Sequence, residues 1–327
     1  MNKIIFVVLS LTIPIACETS RESPGTDVFF NDGATYHLDL TNPDDQKKLG
    51  ISFMNNFNVA KPIAAISVDQ LSEENAYKIA DYYVEEQLKT RGAIAGYKIG
   101  TFEKGIYDHG PVDGLSGPIT AVMFSNGIHQ SGSHISVDCC NMSFVEADFG
   151  AVVKSGAINN AKSDLEILAA LSGFIPFIEM PDIIQPVEGG SNVSSIATNY
   201  DFKNAFIGDL ITTEPTVEWI SRLNNFTFTM TNETGKLLAE GNIKNAYEPL
   251  YRVRNIRNRL LLRGRPLKAG DILSLGNMGA IRPLKENLYF NASVRPVFRG
   301  NIATVSYIDL DPAGPATVSV VIDRLGN

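Results

Sequence analysis

The chain has 327 residues, of which 44% are hydrophobic and 20% charged, with 27 glycines. This is ordinary globular composition, with enough apolar side chains for one large core or two modest ones. The formal net charge of −8 argues against a nucleic-acid partner, because proteins that bind a phosphate backbone concentrate positive charge.

The first residues predict export. A short cationic start is followed by the apolar run Ile4 to Ala16, which is too short to anchor in a bilayer and fits the hydrophobic region of a secretory signal. The pair Ala16-Cys17 resembles a bacterial lipoprotein cleavage site, so we expect residues 1–17 to be the signal and Cys17 to carry lipid. Residues 18–35 then form a polar tether. The expected location is the periplasm or outer membrane of a bacterium, and membrane contact is expected only through that lipid. Plain secretion with cleavage nearby is the alternative.

Two further cysteines, Cys139 and Cys140, are adjacent in the sequence. Neighbouring cysteines can form only a strained ring, so they cannot make a disulfide framework. We therefore expect two small, half-buried strand residues without a bond between them.

Helical periodicity first becomes clear after residue 70. Ser72 precedes two glutamates and an apolar repeat, which predicts a helix from Ser72 to Thr90. Two more helices are predicted at Ser163 to Ser172 and at Pro249 to Leu262. The segment from Tyr36 to Ile66 carries no clear pattern.

Short β-prone runs separated by glycine-containing turns predict the strands. They are Ile94 to Ile99, Ala121 to Phe124, Phe144 to Val153, Phe174 to Glu179, Ala205 to Ile207, Phe226 to Thr231, Asp271 to Leu275, Ala292 to Val297 and Thr304 to Ile308. Strands interrupted by a few helices, without regular alternation, indicate an α+β fold. We expect a small helical extension at 36–93 and one catalytic domain at 94–327.

Two acidic residues alternate with apolar ones in the predicted strand that begins at Phe144. Residues two apart in a strand share a face, so Glu146 and Asp148 point one way and their apolar neighbours point the other. Carboxylates crowded on one face repel each other, and a hard dication between them removes that cost. Oxygen-only ligation favours Mg²⁺, Mn²⁺ or Ca²⁺ over zinc. A solvated acidic face is the alternative.

A third carboxylate and a lysine complete the candidate site. Glu179 ends the very apolar run that starts at Phe174, where an acid is costly unless it is paired or ligated. Lys98 lies in a short strand flanked by glycines, and a lysine near a metal-bound oxyanion can move a proton or stabilise negative charge.

Together these segments resemble the fumarylacetoacetate hydrolase superfamily, and most closely its 2-keto-4-pentenoate hydratase branch. The most specific piece is G-Y-K-I-G at 96–100. The segments V-E-A-D at 145–148 and F-I-E at 177–179 resemble the branch's metal-binding strands. The residues around Arg259, Gly264, 267–271 and 275–276 resemble its C-terminal helix, turn and strand. The resemblance covers roughly residues 68 to 283.

The resemblance implies a mixed β-roll with peripheral helices, usually in a homo-oligomer. It implies Mg²⁺ or Mn²⁺ on Glu146, Asp148 and Glu179, a small 2-oxo acid as substrate, and a metal-stabilised enolate, with Lys98 assisting proton transfer. The expected activity is that of a hydratase-type lyase. An acylpyruvate hydrolase, a 2-oxo acid decarboxylase and a surface lipoprotein that binds a carboxylic acid without turnover are the alternatives.

The presumed substrate side departs from the branch. Asn199 matches a family asparagine and is expected to orient the substrate. Beyond it, small hydroxylic residues are replaced by Tyr200, Asp201 and Phe202, and Asn277 lies in an altered turn. Asp201 and Asn277 are therefore candidate substrate-binding residues. The basic run from Arg252 to Arg265 is expected to be a solvated helix face.

Overall fold

A computed structural model describes residues 26–29, 35–63, 71–100, 105–185, 191–244, 247–286 and 296–324. Within these ranges the α-helices are α1 (Pro43–Asn58), α2 (Glu73–Arg91), α3 (Asp164–Ala169), α4 (Asn192–Ala197), α5 (Val217–Leu223) and α6 (Pro249–Leu262). The predicted signal and Cys17 lie outside the described residues. In the part of the chain that is described, no helix is both long and apolar enough to cross a bilayer.

The strands form two large sheets and one hairpin. Their bounds are β1 (Thr26–Phe29), β2 (Thr35–Leu38), β3 (Ile94–Gly100), β4 (Ile119–Phe124), β5 (Ile128–Gln130), β6 (His134–Ser136), β7 (Phe144–Val153), β8 (Leu171–Met180), β9 (Asn204–Ile207), β10 (Ile211–Thr212), β11 (Thr227–Asn232), β12 (Leu237–Asn242), β13 (Ile272–Ser274), β14 (Ile281–Pro283), β15 (Ile302–Ile308) and β16 (Ala316–Asp323).

The larger sheet has the order β4-β3-β13-β7-β8-β9-β5, with β10 paired to β8 and β14 paired to β7. Most pairs are antiparallel, whereas β13 runs parallel to β3 and β5 runs parallel to β9. Gly96 permits the close approach of β3 and β13, because a Cβ built on it would lie 1.8 Å from the Ile272 carbonyl oxygen. The smaller sheet has the order β12-β11-β15-β16-β6.

An aromatic cluster packs between the two sheets. The Phe149 ring lies 5.2 Å from that of Phe174, 5.0 Å from that of Phe226 and 5.4 Å from that of Tyr307. All four side chains are buried. Because alternate residues of a strand point to opposite faces, this packing turns the side chains at 146 and 148 away from the aromatic core.

The N-terminal helices pack on each other and share a second core with α4. Helix α2 begins as predicted, with the Ser72 hydroxyl accepting a hydrogen bond from the Asn75 amide. Helix α1 was not predicted. Its N-cap is Asn42, which is followed by proline and two aspartates, as is common in a first helical turn.

Most predicted elements of the sheets and helices are confirmed. Helix α6 and strand β7 have the predicted bounds, and β8 begins at Leu171, which shortens α3 to residues 164–169. The α+β class is confirmed. The strand predicted at 292–297 falls largely outside the described residues, and its last two residues are not in a strand.

The expectation for Cys139 and Cys140 was wrong. The two sulfur atoms are bonded, and the residues lie in a turn after β6 rather than in a strand. Lys203 donates a hydrogen bond of 2.8 Å to the Cys139 carbonyl and thereby ties this turn to the larger sheet.

Candidate active site

The register of four strands places the candidate residues on one face of the larger sheet. Glu146 of β7 lies opposite Glu179 of β8. Lys98 of β3 pairs with Ser274 of β13, which in turn pairs with Gly150 of β7, two residues beyond Asp148. Residues directly opposite each other share a face, so the lysine and the three acids all project to the same side.

Glu179 and Lys98 form a buried ion pair. The Lys98 Nζ donates to Glu179 Oε1, and both residues are nearly inaccessible. Burial alone would lower the pKa of Lys98, but the carboxylates of Glu179 and Glu146 outweigh it and raise that pKa. Lys98 is therefore a charged lysine inside the protein.

Asp148 is fully buried beside this pair. Its Oδ2 accepts a hydrogen bond of 2.7 Å from the Ser274 hydroxyl, and its Oδ1 accepts one of 2.6 Å from the Phe149 amide. Burial, reinforced by the charge of Glu179, raises the pKa of Asp148 to about 7 despite these hydrogen bonds. The carboxylates at this point of the sheet thus carry more negative charge than Lys98 compensates.

The three acids do not converge on a single point in the structure. Glu179 bonds to Lys98 and Asp148 bonds to Ser274, and among the described residues no group of three or more His, Cys, Asp or Glu side chains converges as a metal site. Their assignment as metal ligands therefore stays a prediction.

A cavity of about 160 Å³ opens above this face. It is lined by Lys98, Ile99, Gly100, Glu146, Glu179, Tyr200, Arg252, Gly276 and Asn277. The segment after β13 runs beside β7, because Leu275 donates to the Phe149 carbonyl and Met278 to the Ala147 carbonyl. This pairing brings Asn277 to the cavity wall.

The predicted substrate residues differ in position. Asn277 lines the cavity, although its side-chain amide donates to the Ala280 carbonyl. Both polar atoms of the Asn199 side chain bind the backbone of Val122, at 2.7 Å and 2.8 Å. The Asp201 carboxylate is buried, accepts a hydrogen bond from Thr198, and does not line the cavity. As placed, Asn199 and Asp201 hold the turn between them rather than face the cavity.

Arg252 reaches the cavity and corrects the expected solvated helix face. It is 7% exposed, donates to the carbonyls of Tyr247 and Leu275, and stacks on the Tyr247 ring at 3.9 Å. The sequence did contain a sign that Arg252 is buried. It lies four residues before Ile256 and eight before Leu260, so all three share one face of the helix. Those residues form the buried face of α6.

The sequence matches no protein-family model, and no curated protein matches it. The fold is similar to that of 4-oxalocrotonate decarboxylase from Pseudomonas putida G7. Comparison of this chain with the complex of that enzyme with magnesium and adipate gives a TM-score of 0.66 at 18% sequence identity. The match covers 86% of this chain and 98% of the enzyme. For its complex with calcium and acetate the TM-score is 0.65 at 18% identity, with the same coverage. The chain therefore has the fold of this enzyme over almost the whole length of the latter.

Proposed function

We propose that this chain is a member of the fumarylacetoacetate hydrolase superfamily that binds Mg²⁺ or Mn²⁺ and forms the enolate of a small 2-oxo acid. The observation that carries the proposal is the arrangement of Lys98, Glu146, Asp148 and Glu179 on one sheet face beside a cavity. The leading reaction is that of a hydratase-type lyase.

The donor chemistry fits a hard cation. All three acids offer oxygen, they lie on adjacent strands, and burial together with the charge of Glu179 raises the pKa of Asp148 to about 7. Oxygen donors with open positions suit Mg²⁺ or Mn²⁺. When bound, such an ion would supply Lewis-acid stabilisation of the enolate oxygen.

Lys98 is placed to move the proton. It lies at the cavity wall with its ammonium group charged and held by Glu179 and by the Tyr200 carbonyl, the latter at 3.2 Å. A charged ammonium group can donate a proton to the carbon or oxygen of an enolate and can stabilise a nearby oxyanion. Enolisation starts from the fraction of Lys98 that has released its proton to water, because that neutral amine can take the proton from the substrate and, after exchange with solvent, return a deuteron to the enolate. Arg252 adds a second buried cation to the cavity, which suits a substrate carboxylate.

A 2-oxo acid decarboxylase is the second candidate, and the fold similarity to 4-oxalocrotonate decarboxylase favours it. Decarboxylation, hydration and acylpyruvate hydrolysis share an enolate, so the same four residues would serve each reaction. A panel of 2-oxo acids with Mg²⁺ separates them by product, which is a hydrated acid, carbon dioxide or a cleaved pair.

The test of the site is calorimetric titration of Mn²⁺ into wild type, Glu146→Gln and Glu240→Gln. Glu240 is an exposed glutamate of β12 and serves as the matched control. We expect binding in wild type and in the control, and binding at least about tenfold weaker in Glu146→Gln, because a neutral amide is a poor ligand for a hard cation. Absence of binding in wild type would favour a non-catalytic carboxylic-acid-binding lipoprotein.

The test of catalysis is exchange of solvent deuterium into pyruvate, followed by NMR with Mg²⁺ present. Enolate formation makes the methyl protons exchange, so we expect loss of the methyl signal with wild type and much slower loss with Glu146→Gln. Equal rates in the two proteins would contradict the proposed role of the metal.

Export and lipidation of Cys17 form a separate proposal, carried by the N-terminal sequence alone. Metabolic labelling with a tritiated fatty acid should mark the wild-type protein and leave Cys17→Ser unlabelled. Assembly into a homo-oligomer is likewise proposed, and light scattering of the purified protein measures its mass directly.

A further inference from the structure

Three consecutive residues beside the cavity adopt a left-handed backbone. The φ angles of Asn199, Tyr200 and Asp201 are +54°, +48° and +56°. A non-glycine residue in this region is strained and persists only where the surroundings enforce it. A run of three therefore indicates a turn that the fold holds in place.

The contacts of the first and third residues show how the turn is held. Asn199 binds the backbone of Val122 in β4 through both ends of its side-chain amide. The Asp201 carbonyl accepts a hydrogen bond of 2.9 Å from the Asp182 amide, and its carboxylate accepts one of 3.0 Å from Thr198. The side chains of Asn199 and Asp201 thus bond to neighbouring parts of the fold. Of these three residues, Tyr200 lines the cavity.

The Tyr200 ring packs against Gly100 at the end of β3. A Cβ built on Gly100 would lie 1.9 Å from Tyr200 Cε1 and 2.3 Å from its Cζ, so only glycine at this position leaves room for the ring. The Lys98 Nζ lies 4.9 Å from the centre of the same ring, within the range of a cation–π contact. The ring therefore lies directly beside the lysine that the proposed chemistry uses.

We propose that Tyr200 sets the length of the acid that this site accepts. The inference rests on the proposed function, because it assumes that a 2-oxo acid occupies the cavity beside Lys98. The cavity holds about 160 Å³, whereas pockets for drug-sized ligands hold roughly 300–1,000 Å³. Since the ring forms a wall beside Lys98 and its backbone is held by the turn, we expect the site to favour pyruvate and 2-oxobutanoate over longer 2-oxo acids.

The test compares pyruvate, 2-oxobutanoate, 2-oxopentanoate and 2-oxohexanoate by kcat/KM for deuterium exchange in wild type, Tyr200→Phe and Tyr200→Ser. We expect wild type to prefer pyruvate over 2-oxohexanoate by at least about 100-fold, since each methylene without room is worth about 1–3 kcal/mol. Tyr200→Phe keeps the ring and should keep this preference. Tyr200→Ser opens the wall and should reduce the preference at least about tenfold.

The outcomes separate the two proposals. Exchange in wild type together with an unchanged length preference in Tyr200→Ser overturns this inference and leaves the proposed function standing. Where wild type exchanges no acid, calorimetric Kd values for the four acids with Mn²⁺ give the length preference instead. Failure to bind any of them overturns both proposals.

Gly100→Ala tests independently whether the Tyr200 ring packs against Gly100. The added methyl group has no room beside the ring, so we expect the variant to lower Tm. We expect most of that loss to disappear in Gly100→Ala/Tyr200→Ser, because the serine vacates the space. Equal losses of Tm in the two backgrounds would show that the ring does not rest on Gly100 in solution, and would overturn the inference.

Discussion

Two buried lysine–carboxylate pairs in this protein differ in what surrounds them. Lys98 pairs with Glu179 and Lys203 pairs with Asp182, and all four residues are less than one-tenth exposed. The first pair faces a cavity and has two more carboxylates on the same sheet face. The second pair is bonded to backbone groups, and the Lys203 Nζ also lies 4.5 Å from the centre of the Phe57 ring.

The enclosed pair is balanced. Asp182 accepts from Lys203 at 2.7 Å and from the Met142 amide at 3.0 Å, and Lys203 also donates to the Cys139 carbonyl. One positive and one negative charge meet with both carboxylate oxygens satisfied, which is what a buried ion pair needs to be tolerated. The pair joins the turn at 139–142 to the residues that follow β8 and precede β9. The buried carboxyl group of Asp201 interacts with Asp182, and its pKa is raised to about 7, chiefly by burial.

The pair at the cavity is unbalanced. Three carboxylates, those of Glu146, Asp148 and Glu179, lie near two cations, Lys98 and Arg252. Burial, and after it the charge of Glu179, raises the pKa of Asp148. Crowded carboxylates of this kind do not stabilise the fold, whereas they could bind a cation in the cavity. The contrast between the two pairs therefore supports the role proposed for Lys98 and favours a structural role for Lys203.

The largest effect is expected for Lys98→Met. Loss of a positioned proton carrier slows catalysis by about 10²–10⁴-fold, so deuterium exchange into pyruvate should fall by that factor. The matched control is Lys203→Met, which removes the lysine of the balanced pair. Per folded molecule it should exchange at the wild-type rate, and equal losses in both variants would erase the distinction between the pairs.

Asp182→Ala should be the most destabilising change. It leaves the Lys203 charge buried without its partner, which costs about 3–5 kcal/mol of unfolding free energy. Urea denaturation measures the loss. Asp323→Ala is the control, because Asp323 pairs with His134 at the surface with its side chain 57% exposed, where such pairs contribute about 0–1 kcal/mol. A loss below about 1 kcal/mol for Asp182→Ala would mean that the pair does not hold the turn.

The sequence alone predicts the acid-bearing strands well. The alternation at 144–149 and the apolar run before Glu179 are local signals, and in the structure Glu146 lies opposite Glu179, as the proposed site requires. Helix α6 was found for the same reason, since its boundaries are marked by proline and by Arg263-Gly264.

What the sequence does not predict depends on distant contacts. The left-handed turn at 199–201 contains no glycine. Asn and Asp tolerate this backbone conformation but do not require it, so the local sequence does not predict the turn, and Val122 and Asp182 hold it through hydrogen bonds. Arg252 was misplaced because a run of arginines is usually solvated, whereas the Tyr247 ring and the carbonyl of Leu275 make this one tolerable inside the protein. The bond between Cys139 and Cys140 was missed because ring strain argued against it.

The carboxyl group of Asp201 links stability to pH. Burial raises its pKa to about 7, and the Thr198 hydrogen bond opposes that shift. Between about pH 4 and pH 7 the unfolded chain loses this proton while the folded protein keeps it, so the unfolding free energy falls as pH rises through that window. Asp201→Asn keeps an acceptor for Thr198 and cannot ionise, so its stability should lack the contribution of Asp201 to this fall and keep that of Asp148, whose pKa is also raised to about 7.

The size of that difference follows from about 1.4 kcal/mol per pKa unit. We expect Asp201→Asn to exceed wild type by about 2–4 kcal/mol at about pH 8 and by little at about pH 4.5, as measured by urea denaturation. Asp209→Asn, at an exposed position, should leave the profile unchanged. A parallel pH profile for wild type and Asp201→Asn would mean that this carboxyl group ionises normally.

The smallest effect is expected at Ser274, which serves the unbalanced pair indirectly. Its hydroxyl donates to Asp148 at 2.7 Å and both residues are fully buried, so it orients the carboxylate that we propose as a ligand. Groups that orient a metal ligand are worth about 10–100-fold in metal affinity. We expect Ser274→Ala to weaken Mn²⁺ binding about tenfold, at the low end of that range, because the Phe149 amide still holds the other oxygen of Asp148. Ser306→Ala in β15 of the smaller sheet is the control. Unchanged Mn²⁺ affinity in Ser274→Ala would remove Asp148 from the ligand set and leave its burial without a function.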